Sequence, residues 1–152
     1  MQFTHEITLT ADAPWHGIWA EWNTVHRLPS LLSHVRAASP TDADDTAYFT
    51  VLLEGRQIEF AAQLTMCADK TLCWQSLGAH FLYVLSLRLD TPKHGSGVEL
   101  TLTVAYDPPG FLPDIAESLG LSRRFKHQLE ADFRRYVHAL EANSLSELML
   151  ME

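Results

Sequence analysis

Between Thr46 and Asp107 the chain reads as one strand after another, and no other stretch narrows its architecture as much. Apolar and polar residues alternate there with the two-residue period of a pleated sheet. The predicted strands are Thr46–Leu53, Gln57–Met66, Thr71–Leu77, Phe81–Asp90 and Val98–Asp107. Turn residues separate them at Glu54-Gly55-Arg56, Ala68-Asp69-Lys70, Gly78 and the Thr91–Gly97 segment. This spacing describes an antiparallel meander. Pro108-Pro109 ends it, because proline donates no ladder hydrogen bond. A two-residue turn fits the first hairpin at either Glu54-Gly55 or Gly55-Arg56, with Gly55 supplying a positive φ.

Upstream, Phe3, His5, Ile7 and Leu9 alternate with polar residues in a further strand. Asp12-Ala13-Pro14 stops it, and Pro14 suits the start of a helix. Trp15, Ile18, Trp19 and Trp22 then share one helical face, read as core rather than as a binding stripe. A shorter helical piece begins near Pro29, and Ser39–Asp45 reads as a polar loop. Downstream, a short helix is expected over Asp114–Leu119, ended by Gly120. A longer one runs from Ser122 to Ala142, with Phe125, Leu129, Phe133, Tyr136, Val137 and Leu140 on one face. Ser144–Glu147 has capping-box spacing for a last turn.

The order is a strand, two short helices, the meander of strands and a long helix, an α+β pattern. A sheet with one apolar face must be covered, and only the C-terminal helix is long enough to do it. Residues 1–143 are read as one domain and 144–152 as a tail. A domain of 152 residues buries roughly 70% of the surface its unfolded chain exposes, enough for a sizeable core.

Strand parity gives the inner face. Ile58, Phe60, Ala62, Leu64 and Met66 point inward, joined by Phe49, Val51 and Leu53. Phe81, Tyr83, Leu85, Leu87 and Leu89 follow, then Val98, Leu100, Leu102, Val104 and Tyr106. Trp74 shares parity with Leu72 and is placed inward. The expected ligand-contacting residues are Phe49, Phe60, Trp74, Tyr83, Leu102 and Tyr106 on the sheet, with Phe125, Leu129 and Phe133 on the helix. An apolar wall with a few polar handles is what a small-molecule site looks like, and the Tyr83 and Tyr106 hydroxyls are such handles.

Other chemistries find less support. The net charge of −8 opposes nucleic-acid binding, and the stretch that carries Arg123, Arg124, Lys126 and His127 also carries Glu130 and Asp132, as a solvated helix face does. Cys67 and Cys73 read as reduced thiols of a cytoplasmic protein, with a bridge between them, close to one predicted turn, as the lesser alternative. No apolar run is long enough for a membrane span, and the first residues lack the pattern of a secretory leader. The eight histidines form no metal-ligand spacing, so no metal or other cofactor is expected. No Gly-x-Ser-x-Gly elbow or phosphate loop precedes a helix. Outward Leu82 and Val84 predict a contact face for a homodimer.

Several short motifs, in order, resemble the polyketide cyclase/dehydrase branch of the START-like (SRPBCC) superfamily, which has coenzyme-Q-binding relatives. They are Asp12-Ala13-Pro14 with Trp19, Leu28-Pro29, and Gly55-Arg56-Gln57-Ile58-Glu59-Phe60. Trp74 with Ser76, Tyr106-Asp107-Pro108-Pro109-Gly110, and Leu129 with Asp132, Phe133 and Arg135 continue the likeness. Leu31 replaces a common aromatic and His34 a common glycine. The resemblance implies a helix-grip (Bet v 1-like) fold, with a seven-stranded curved antiparallel sheet around the long C-terminal helix. It also implies a small hydrophobic ligand (lipid, quinone or polyketide-like) between the two. The alternative it implies is an aromatase/cyclase or dehydratase in the same cavity. No catalytic residue carries over. Tyr83, Tyr106 and His5 are the inward groups able to move a proton.

Overall fold

Each strand expected from the two-residue period is present in the computed structural model, which describes residues 2–78, 81–93, 95–108 and 115–150. In the final helix, side chains are described over 119–143. Strand β1 is Phe3–Ala11 and is followed by helix α1, Trp15–Asn23. A 3-10 turn at Val25–Arg27 leads into the single turn of α2, Leu28–Leu31. Then come β2 (Val35–Pro40), β3 (Thr46–Leu53), β4 (Arg56–Ala68), β5 (Thr71–Ser76), β6 (Tyr83–Asp90) and β7 (Val98–Tyr106). Helix α3 is Ile115–Leu150. The strands make one antiparallel seven-stranded sheet in the order β1-β7-β6-β5-β4-β3-β2.

The register follows from side-chain parity. Ile7, Leu102 and Leu87 lie side by side across three strands, as do Phe3, Tyr106 and Tyr83. A shift by one residue would turn every such row toward solvent, so burial of one face fixes the pairing. Leu53 pairs with Arg56, so the first turn is Glu54-Gly55, both at positive φ (51° and 80°), as a type I′ hairpin requires. Trp74 sits inward between Leu64 and Leu85. Phe125, Leu129, Phe133, Tyr136 and Val137 of α3 are buried against the sheet and short helices, and Leu140 packs at their edge.

Four expectations need correction. Val35–Pro40 is a strand whose end lies in what reads as the Ser39–Asp45 loop. It is a short edge strand with a register shift between Val35 and Ala37, so no clean alternation marks it, and an edge tolerates Pro40. Gly120 does not end a helix: α3 passes through it, and the turn expected at Ser144–Glu147 continues the same helix. Glycine inside a helix costs only about 1 kcal/mol, which packing of the flanking turns offsets. Met66 keeps inner parity opposite Leu72 but is 63% exposed, because the chain bulges between Met66 and Ala68 where the sheet runs past its cover. Strand β6 begins at Tyr83, leaving Phe81 before it, half-buried against Phe60. There Ser76 Oγ donates to the Phe81 carbonyl (2.8 Å) and accepts from Tyr83 N (3.0 Å).

Candidate functional site

Strand β5 stops at Ser76, opposite Ala62, while β4 begins earlier at Arg56. The β3–β4 hairpin therefore overhangs the rest of the sheet. At its tip the Glu54 carboxylate lies beside the Tyr106 hydroxyl at the end of β7. The overhang, the start of β6, the end of β7 and α3 enclose a continuous group of rings. Phe49 lies 5.7 Å from Phe60 and 5.4 Å from Trp74, and Tyr83 lies 5.1 Å from Phe60. Phe125 lies 5.3 Å from Tyr106 and 5.0 Å, edge-on, from His34.

The nine residues expected to touch a ligand thus fall on the two facing surfaces, and six of them belong to this ring group. Leu102, Leu129 and Phe133 lie deeper in the core, Phe133 edge-on to Trp22. All are buried except Phe60, which is half-buried at the overhang.

Sequence reasoning missed His34 as a site residue. It follows α2 and is buried, and its Nε2 lies 2.6 Å from the Tyr83 hydroxyl. Burial pushes its pKa down to about 3, with Arg36 adding to the shift and Asp132 opposing it, so the imidazole is neutral. Burial likewise raises Tyr83, and pushes Tyr106 up to about 12 with Glu54 assisting and Ser122 opposing. The only sequence signal for His34 was its place in a position where the resembling family commonly has glycine.

His5, half-buried on β1, bonds Ser122 Oγ of α3 at 3.0 Å, and its pKa is lowered by burial and by Lys126. Asp132 is buried on α3 and accepts from Ser33 N (2.9 Å), Ser33 Oγ (2.6 Å), Gln128 (2.9 Å) and Arg135 (2.8 Å). Burial opposes its ionisation, but these donors prevail and hold the carboxyl below the usual range.

Among the described residues, five buried side-chain polar atoms have no hydrogen-bond partner: His34 Nδ1, Trp74 Nε1, Tyr106 Oη, Glu54 Oε2 and Trp22 Nε1. The first four belong to the ring group or its rim. Trp22 instead sits on α1 against Tyr136.

Two clefts open elsewhere. One, of about 420 Å³, lies at the opposite end of the sheet between α1 and the β4–β5 and β6–β7 turns, walled by Trp15, Trp19, Met66, Leu89 and Val98. Trp15 is 50% exposed there, so the tryptophan face of α1 is only partly core, with Ile18 and Trp22 buried and Trp19 intermediate. The other, of about 300 Å³, is polar and lies between the short helices and α3, beside Arg27 and Arg135. No helix among the described residues is long and apolar enough to cross a membrane.

A curved seven-stranded antiparallel sheet gripping one long C-terminal helix, with short helices after the first strand, is the helix-grip fold of START-like and Bet v 1-like proteins. Solved structures agree. A Deinococcus radiodurans protein is 21% identical, with a TM-score of 0.73, covering 93% of this chain and 98% of that chain. A START superfamily protein from Mycobacterium smegmatis is 12% identical, with a TM-score of 0.66 and coverage of 91% and 98%. The Zhui aromatase/cyclase of a Streptomyces strain is 15% identical, with a TM-score of 0.56 and coverage of 97% and 93%. At these identities the likeness is one of fold. No family model matches the sequence, and no curated protein matches it.

Proposed function

We propose that this protein binds a small hydrophobic molecule, lipid-, quinone- or polyketide-like, between the sheet and α3. The contacting side chains are Phe49, Phe60, Trp74, Tyr83, Leu102, Tyr106, Phe125, Leu129 and Phe133. The observation that carries the reading is the pair of unpartnered buried atoms His34 Nδ1 and Trp74 Nε1, set among aromatic rings with the Glu54 carboxylate and Tyr106 hydroxyl at the rim. A buried polar group without a partner costs about 1–3 kcal/mol, and a clustered set of them is what a mostly apolar guest with a polar end would satisfy.

The alternative is a cyclase or dehydratase in the same place, favoured by the buried His34–Tyr83 pair and the fold shared with an aromatase/cyclase. Binding is the better-supported reading, because both members of that pair titrate far from neutrality and acid–base catalysis works best near it. The domain of residues 1–143 would act in the cytoplasm, which its free Cys67 and Cys73 support. A homodimer through the half-buried Leu82 and Val84 would appear in light scattering, and a monomer at high concentration would remove it.

Native mass spectrometry of protein purified from its own host is expected to show a co-purifying lipophile. A clean spectrum, together with no thermal stabilisation by fatty acids, quinones or aromatic polyketides, overturns the reading.

A further inference from the structure

We infer that His34, held in one tautomer by Tyr83, presents an N–H donor that selects ligands bearing a carbonyl oxygen. This rests on the apolar-ligand reading and narrows it to a class.

The argument is a count of hydrogen-bonding groups. His34 Nε2 and Tyr83 Oη are 2.6 Å apart, and neither side chain has another partner among the described residues. If Nε2 carried the proton and donated to Tyr83, two groups would be stranded in the interior: the phenolic O–H and the Nδ1 lone pair. If Tyr83 donates to Nε2, the imidazole proton sits on Nδ1 and only that N–H is left over. A stranded buried group costs more than a typical hydrogen bond returns, so the second arrangement prevails. The ring cannot escape by protonation near neutral pH, because burial keeps it neutral.

The leftover donor has company. Trp74 Nε1, a donor only, is also buried and unpaired, and the ring group joins it to His34 through Phe49 and Tyr83. The unpaired acceptor in the region, Glu54 Oε2, stands with the Tyr106 hydroxyl at the rim, so those two face each other. Among the described residues, neither the His34 nor the Trp74 N–H has a hydrogen-bond acceptor. A guest that supplies one is a ketone, quinone or ester. A hydrocarbon supplies none, and a cation would meet donors.

Benzophenone and diphenylmethane test this, since they share a skeleton and differ by C=O against CH₂. Calorimetric titration of the wild-type protein is expected to show benzophenone binding about tenfold tighter, the worth of one hydrogen bond of about 1.4 kcal/mol. His34→Phe should abolish that preference, so that the two probes bind it with equal affinity whatever the change in binding common to both. The ring ¹⁵N shifts of His34 in the wild type should report a protonated Nδ1 and a bare Nε2, and benzophenone should move the Nδ1 signal. Equal wild-type affinities, a preference that survives His34→Phe, or the opposite tautomer overturns the inference and leaves the apolar-ligand reading standing. Binding of neither probe counts against that reading itself, and the inference falls with it.

Discussion

Asp132, midway along α3, accepts both the backbone N–H and the hydroxyl of Ser33, at 2.9 and 2.6 Å. The next residue after Ser33 is His34. The long helix thereby pins the connection from α2 to β2, and with it the imidazole, over the end of the sheet where Tyr83 begins its strand.

Removing that carboxylate should be costly. Asp132→Ala strands Ser33 N and leaves Gln128 and Arg135 without their acceptor, so a loss of about 2–4 kcal/mol is expected in urea unfolding. Asp132→Asn should lose less, since an amide oxygen still accepts from Ser33. Because the folded carboxyl is held below its ordinary value, its contribution is complete above the unfolded pKa near 4. It fades as pH falls through the folded value. Equal losses for the two variants would assign the effect to packing instead.

Stability should also fall in mild acid because of His34. The folded pKa is about 3, against about 6.5 for an exposed imidazole. Between those values the unfolded chain takes up a proton that the folded chain refuses, so acid favours unfolding by up to about 1.4 kcal/mol per pH unit. The contribution is undiminished above pH 6.5 and shrinks steadily toward pH 3. Thermal melts of wild type and His34→Gln across that window should diverge at high pH and converge as pH falls. Parallel curves would place the acid sensitivity elsewhere.

Two tyrosine-to-phenylalanine changes should differ in sign or size. Tyr83→Phe leaves His34 Nε2 buried without its donor and is expected to cost about 1–3 kcal/mol. Tyr106→Phe removes a hydroxyl that makes no close hydrogen bond, with Glu54 and Ser122 only near it, and should cost less than about 1 kcal/mol. Chemical denaturation of both checks this, and a large loss from Tyr106→Phe would mean that its hydroxyl is well bonded in solution.

Gly97 should tolerate no side chain. It has φ +97°, and a Cβ there would drive into the carbonyl oxygen of Ala11 and crowd Asp12. Gly97→Ala is expected to lose about 2–4 kcal/mol, through backbone strain and displacement of the β1–α1 junction. Gly95→Ala, also at positive φ but with open space around it, should cost only the strain of that conformation, about 1 kcal/mol.

Much of the architecture was legible because its signals are local. The alternation around Leu85 or Leu102, and the stripe from Phe125 to Val137, need only a few neighbouring residues to show which face is apolar. The edge strand at Val35–Pro40 carries no such period, and Gly120 reads as a stop because intrinsic propensity says nothing of the packing that carries α3 through it.

The candidate site was legible in its aromatic half only. Phe49, Trp74, Tyr83 and Tyr106 could be placed inward by parity alone. The polar half depends on residues far apart in the chain: His34 meets Tyr83 across 49 positions, and Ser33 meets Asp132 across 99.

What the amino-acid order determined by itself was which side of each strand and of the last helix is apolar, since side-chain direction repeats every two residues in one and every three or four in the other. Only the tertiary structure decided what the overhanging hairpin meets and how far the sheet outruns its cover. Those long-range choices set Glu54 beside Tyr106 and left Met66 in an open cleft. They also gave His34 one partner where its two ring nitrogens could take two.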